Sequence, residues 1–303
     1  MIGYISAAIA ALLFGSVSTI AKPILYDINP LLLSCLVYLI SALTLTPMAR
    51  NLGQHFEKKD YVLLITTAIL GAAIAPAIFF FGLKQTTAAD SSVLANGEII
   101  FSVLLAILFF KERLNSVGFV SVALVLIGVT IITTNLDLNN LQLKANYGNL
   151  LIIGATFFWG LDNNISKILS HKMSIPKLIQ LKSLIGGTIL FVLTVLLGIP
   201  LIINSAQIPY IVLLGIVGFA ASLYFFLQSL RKIGTVKTIL IFSFSSLFGL
   251  VLASTLLHEK ITIYQIIAVG IMVSGIYLIN REDSINDGSN VNFRRVNASD
   301  ERR

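Results

Sequence analysis

Charge is what this sequence has least of. Asp, Glu, Lys and Arg together make 12% of its 303 residues. A soluble domain carries about 25%, so this chain could not cover a water-facing surface. Cysteine is nearly absent too. Cys35 stands alone inside an apolar run, which excludes a disulfide framework and a thiolate metal site. The three histidines, His55, His171 and His258, fall between apolar runs, and His258-Glu259 lacks the second histidine of a zinc-protease helix. There is no Gly-rich phosphate loop, and no Ser/His/Asp set falls at one depth. Segments between apolar runs are too short for a nucleotide-binding domain. No catalytic residue, metal or cofactor is therefore expected. The short alternating segments of a membrane β-barrel are missing as well.

What is abundant is long apolar sequence. Hydrophobic residues make 56% of the chain. Runs of about 20 residues recur, each long enough to cross a hydrocarbon core of about 30 Å. Ten spans are read: 2–21, 31–49, 61–82, 89–110, 116–134, 148–169, 178–198, 209–229, 236–256 and 262–280. They are expected to be helices, because lipid offers backbone groups no partners. Pro76, inside the third, should kink it. No basic residue precedes the first run, which reads as a helix of the mature protein and not a signal peptide.

The formal net charge of +7 would suggest nucleic acid in a soluble protein. Here the basic residues sit in short loops, which fits membrane orientation instead. Loops after even-numbered spans hold 12 Lys and Arg, from Arg50 to Arg281. Loops after odd-numbered spans hold 4: Lys22, Lys84, Lys144 and Lys260. This bias places both termini in the cytoplasm.

The chain also repeats itself. Glu112-Arg113-Leu114 and Glu259-Lys260-Ile261 stand 147 positions apart, as do Gly128 and Gly275. Leu83-Lys84 maps onto Leu230-Arg231 at the same offset, and Phe14-Gly15 with Lys22 onto Trp159-Gly160 with Lys167 at 145. Five spans per repeat is an odd number, so the copies must point opposite ways. The charges agree: the loop with Arg50, Lys58 and Lys59 corresponds to 199–208, which has no Lys or Arg. The expectation is an all-α polytopic membrane protein of ten transmembrane helices. Its domains are a first repeat over 1–136, an inverted second repeat over 147–280, and a disordered cytoplasmic tail over 281–303. In that tail Asn297-Ala298-Ser299 fits a glycosylation pattern that a cytoplasmic segment would not use.

These marks resemble the EamA-type permeases of the drug/metabolite transporter (DMT) superfamily. The resemblance rests on Phe14-Gly15…Lys22 with Glu112, and on Trp159-Gly160…Lys167 with Glu259. It covers residues 1 to about 280. It implies a ten-helix, alternating-access carrier in the cell membrane for small organic molecules, often an exporter. Its partners would be the solute and membrane lipid, with no nucleic acid and no obligatory protein partner.

Glu98 is the sharpest site candidate. It lies about ten residues, roughly 15 Å, from either end of its span. Such a carboxyl usually faces a cavity or a partner. Its face carries Ser91, Ala95 and Ser102, and reads as pore-lining; the matching face of span nine includes Ser245. Glu98 is read as the proton-coupling group, against the alternative of a neutral acid that only packs the bundle. Asp162 and Lys182 lie at similar depth on consecutive spans and read as a structural ion pair. Trp159, Asn163 and Ser166 share one helical face, Tyr224 and Gln228 another. Aromatics with amides could cradle a polar solute, though asparagines also join membrane helices. Glu112 and Glu259 read as turn and helix-start acids outside the substrate site. The functional expectation is a secondary carrier for a small organic metabolite, amino-acid-like or a related solute, proton-coupled and exporting. The alternative is an intramembrane enzyme acting on a lipid or peptide.

Overall fold

A computed structural model describes residues 1–49, 57–110, 147–275 and 277–278, with scattered positions at 117, 119–120, 123–124, 126–128 and 131. Span 116–134 falls mostly outside the described residues, and Glu112 and the 281–303 segment entirely so. Helix α1 is Ile2–Ile24 and α2 is Pro30–Leu45. Then come α3, Lys58–Gln85; α4, Ala88–Leu94; and α5, Gly97–Phe110. After them run α6, Tyr147–Ser170; α7, Ile175–Leu196; and α8, Ser205–Gly234. A short α9 covers 235–242, followed by α10, Ser245–Leu256, and α11, Ile263–Gly275. Among the described residues, five segments are long and apolar enough to cross a membrane: α1, α2 with the turn that carries it on to Met48, α3, α7 and α8. The chain is an all-α polytopic membrane protein.

Local chemistry sets the ends. Asn29 accepts from Leu31 N–H at 2.9 Å, and Pro30 fills the first helical position, where no N–H is needed. Gly198 ends α7 in the left-handed region, φ +64°, a conformation that costs glycine little.

The bundle is arranged for lipid. Its outward faces carry Leu193, Leu196, Ile202 and Val251, while Ser34, Ser41, Thr67, Ser183 and Ser246 are buried. Small residues let helices touch. A Cβ on Gly15 of α1 would stand 2.5 Å from the Ser245 carbonyl, and one on Gly186 of α7 2.5 Å from Ala72 Cβ in α3. Helices before residue 111 pack chiefly on helices after 146: α1 on α8 and α10, α2 on α7, and α3 and α5 on α6.

Two departures from regular helix position the site. A π turn at Leu70–Ile74 widens α3 directly before Pro76. The Ala75 N–H bonds Leu70 O, five residues back. Gly71 O would need the next donor, and Pro76 has no N–H to give. A second π turn occupies Leu214–Ala221 in α8. The fourth and ninth sequence spans, expected to be continuous, are both interrupted. One break falls at Ala95-Asn96, the other at Ser243-Phe244. Breaks in a membrane helix are tolerated where they are buried in protein. Here they meet: Asn96 Nδ2 donates to Ser246 Oγ at 2.9 Å and to Ser243 O at 3.3 Å.

Candidate functional site

The orphaned Gly71 carbonyl is the site's anchor. It accepts from Tyr38 Oη at 3.0 Å and from Trp159 Nε1 at 3.1 Å. Two aromatic side chains are thereby fixed by one backbone atom. Trp159 is also held by Phe14, edge-on at 5.8 Å, and by Phe79 at 5.1 Å. Gly71 serves a second purpose, since a Cβ there would collide with the Asp162 carboxylate. Only glycine lets α6 bring Asp162 this close to α3.

Asp162 pairs with Lys182, Nζ to Oδ2 2.6 Å, and both side chains are almost wholly buried. The other carboxylate oxygen accepts from Thr67 Oγ1, and from Ser166 Oγ at 2.9 Å. Lys182 also reaches Ser166 Oγ at 3.4 Å. The sequence reading expects this pair, but groups Ser166 with Trp159 and Asn163. The structure buries the pair completely and turns Ser166 onto it.

Beside it, α5 and α6 form a separate polar group. Asn163 Nδ2 donates to Glu98 Oε1 at 2.6 Å and reaches Ser102 Oγ at 3.4 Å. Asn164 bonds the Ser102 carbonyl at 3.0 Å and Gly160 O at 2.9 Å, which locks the two helices together. Glu98 is buried, and among the described residues it makes no ion pair; Lys182 is committed to Asp162.

Ser91 faces Ser18 of α1, Oγ to Oγ 3.0 Å. Next to them lies a small cavity with room for about one water. Phe14, Gly15, Ser18, Phe79, Ser92, Ala95 and Ser245 are among its lining. So Ser91, Ser102, Ser245, Trp159 and Asn163 gather around the α4–α5 break and α6. Tyr224 and Gln228 lie apart. Gln228 Oε1 accepts from Ser6 Oγ at 3.4 Å, and Tyr224 packs edge-on against Phe225 at 5.4 Å.

Sequence reasoning missed several participants. Thr67, Tyr38 and Gly71 carry no signal in isolation, because their roles depend on a π turn and a facing helix. Asp60 was overlooked: it is buried, paired with Lys172 at 2.6 Å, and accepts from Glu57 N–H at 3.0 Å. Glu259 does cap a helix start, but not that of its own α11. Its oxygens accept from Ala88 and Ala89 N–H, at the head of α4.

The EamA-like transporter family model matches residues 1–134 and 146–281 of this chain. An uncharacterized transporter of Methanothermobacter thermautotrophicus is 31% identical, over 91% of this chain and 85% of its own. The uncharacterized transporter YetK of Bacillus subtilis is 22% identical, over 91% and 86%. A crystal structure of a protein 16% identical superposes with a TM-score of 0.66, over 91% of this chain and 96% of its own, and speaks for the fold alone. These relatives point to transport rather than to an enzyme.

Proposed function

This chain belongs to the EamA-like transporter family and is a multi-pass membrane transporter, and on that premise we propose that it is a secondary carrier for a small organic solute. Glu98 exchanges the coupling proton, and export is the working direction. The observation that carries this reading is the placement of Glu98. It is buried beside a helix break, bonded by the neutral amide of Asn163, with no cation paired to it among the described residues. A carboxyl so placed is stable only protonated or hydrated, and it changes charge when its surroundings open. Ser91, Ser102 and Ser245, with Trp159 and Asn163, supply polar and aromatic contacts for a solute of amino-acid-like polarity. Asp162–Lys182 holds α6 to α7 beneath them.

The test is a panel of amino acids and related metabolites added to purified protein. A true solute at about 100 times its Kd stabilises the native state by about 2.7 kcal/mol, which reads as a raised melting temperature. The same solute should then cross sealed vesicles containing the protein. Turnover of a lipid without solute flux would instead make the protein an intramembrane enzyme.

We further propose that residues 1–136 and 147–280 are inverted repeats, with both termini cytoplasmic. In support, the π turn at 70–74 and the break at 95–96 have counterparts at 214–221 and 243–244, close to the 147-residue offset. Reporter fusions after Lys59, Arg113, Lys172, Lys232 and residue 303 should read cytoplasmic, and a fusion after Asn204 external. The same reading for loops 50–60 and 199–208 would end the repeat account.

A further inference from the structure

The junction between α3 and α4 is gripped from two sides by charged groups. On one side Lys22, in the last turn of α1, donates from Nζ to three carbonyls: Thr86 O at 2.6 Å, Leu83 O at 2.9 Å and Lys84 O at 3.3 Å. Carbonyls at the end of a helix have no donors within it, and the partial negative charge there favours a cation. The Tyr26 ring, 5.6 Å from Nζ, covers the same ammonium. On the other side Glu259, in the turn between α10 and α11, uses both oxygens. Oε1 accepts from Ala88 N–H at 3.0 Å and Oε2 from Ala89 N–H at 2.9 Å. The turn presents Glu259 by placing His258 in the left-handed region, φ 55°, a backbone conformation that few non-glycine residues adopt. Beside it Gln265 Nε2 of α11 donates to the buried Asp90 Oδ1 of α4 at 2.7 Å. These contacts of Glu259 and Gln265 onto α4 join one half of the chain to the other.

The equivalent position at the opposite end of the repeat is not engaged. Lys167 ends α6 as Lys22 ends α1, at the 145-residue offset. The carbonyls matching Leu83, Lys84 and Thr86 belong to Leu230, Arg231 and Ile233, at the end of α8. Lys167 is exposed, and its ammonium makes no hydrogen bond among the described residues. One lysine is therefore docked on three carbonyls and its counterpart is undocked. In two inverted copies of one unit, that is the asymmetry expected when one end of the pathway is shut and the other is not.

We infer that Lys22 and Glu259 are positioning residues of the transport cycle. Lys22 pins the α3–α4 junction to α1 and Glu259 ties it to the second half, and together they shut the end of the pathway at which α1 finishes. In the alternate state this latch releases, and Lys167 docks on the α8 carbonyls at the other end. The inference rests on the two-repeat carrier reading and adds the groups that exchange partners. It also assigns the step they control, since α4 leads straight into the Ala95-Asn96 break and Glu98.

The test is directional accessibility of a cavity position. Ala95→Cys in a Cys35→Ser background places one thiol in the cavity lining. A membrane-impermeant thiol reagent is applied to sealed vesicles from each face in turn. Lys22→Met and Glu259→Leu should each raise labelling from the face where α1 ends about tenfold, a coupling of ordinary size for a two-state protein. Labelling from the other face should fall. Lys22→Arg keeps the charge and the donors, and should restore slow labelling. Lys167→Met removes only the alternate latch, so labelling from the α1-end face should stay slow. An unchanged rate in both Lys22→Met and Glu259→Leu overturns the latch. So does an equal rise from both faces, which marks general loosening of the fold. Labelling that follows the expected pattern with no solute flux in the parent protein would instead defeat the carrier reading and leave the latch standing.

Discussion

Lys182→Met alone is expected to leave little folded protein. The substitution keeps the length of the side chain and removes its charge. Among the described residues, Asp162 then remains a buried carboxylate with two hydroxyls, from Thr67 and Ser166, as its partners. Breaking one side of a buried ion pair costs about 3–5 kcal/mol, because the surviving charge has lost its compensation. Native proteins are stable by only about 5–15 kcal/mol in total. Asp162→Asn should be comparably harmful, since it strands the Lys182 ammonium between α6 and α7. The double variant Asp162→Asn, Lys182→Met removes both charges and should recover most of the folded protein. The amide oxygen introduced there can still accept from Thr67 and Ser166. The measurement is yield of monodisperse protein in detergent together with its melting temperature. If both single variants match the parent, the pair does not support the fold as described.

Much of the architecture was legible because membranes allow few solutions. Apolar runs of fixed length must be helices, and the structure has helices where the runs from 2 to 110 and from 147 to 275 place them. The resemblance read from Phe14-Gly15, Lys22, Trp159-Gly160, Lys167 and the two Glu turns agrees with the family match over both halves. The interruptions were legible only in part. Asn96-Gly97 is a turn dipeptide that the reading of a continuous fourth span passed over, whereas Ser243-Phe244-Ser245 carries no comparable signal and its break is held by Asn96 across the bundle. Pro76 was expected to kink α3, and the π turn that precedes it needs the facing Tyr38 and Trp159 donors to be worthwhile. Position along a span says little about how fully Asp162 and Lys182 are covered by protein. Burial depends on which neighbours cover a residue as well as on its distance from the helix end.

Glu98→Gln is expected to fold, insert and bind solute, and to lose the response to a pH gradient. Glutamine keeps the shape of the side chain, and its amide oxygen can accept from Asn163 as Glu98 Oε1 does. It cannot take up or release a proton. Exchange of solute for solute should persist, because that half of the cycle needs no change in protonation. Glu98→Ala should be worse than Glu98→Gln, since it also strands Asn163 without its acceptor and opens space beside the Ala95-Asn96 break. Measuring both driven flux and exchange separates a coupling group from a packing group, because loss of packing would impair the two together.

Solute flux into sealed vesicles, parent against Glu98→Gln, with and without an imposed pH gradient, tests proton coupling at Glu98 most directly. Gradient-driven accumulation is expected in the parent, none in Glu98→Gln, and solute exchange in both. A Glu98→Gln protein that accumulates solute under the gradient as the parent does would contradict coupling through this carboxyl.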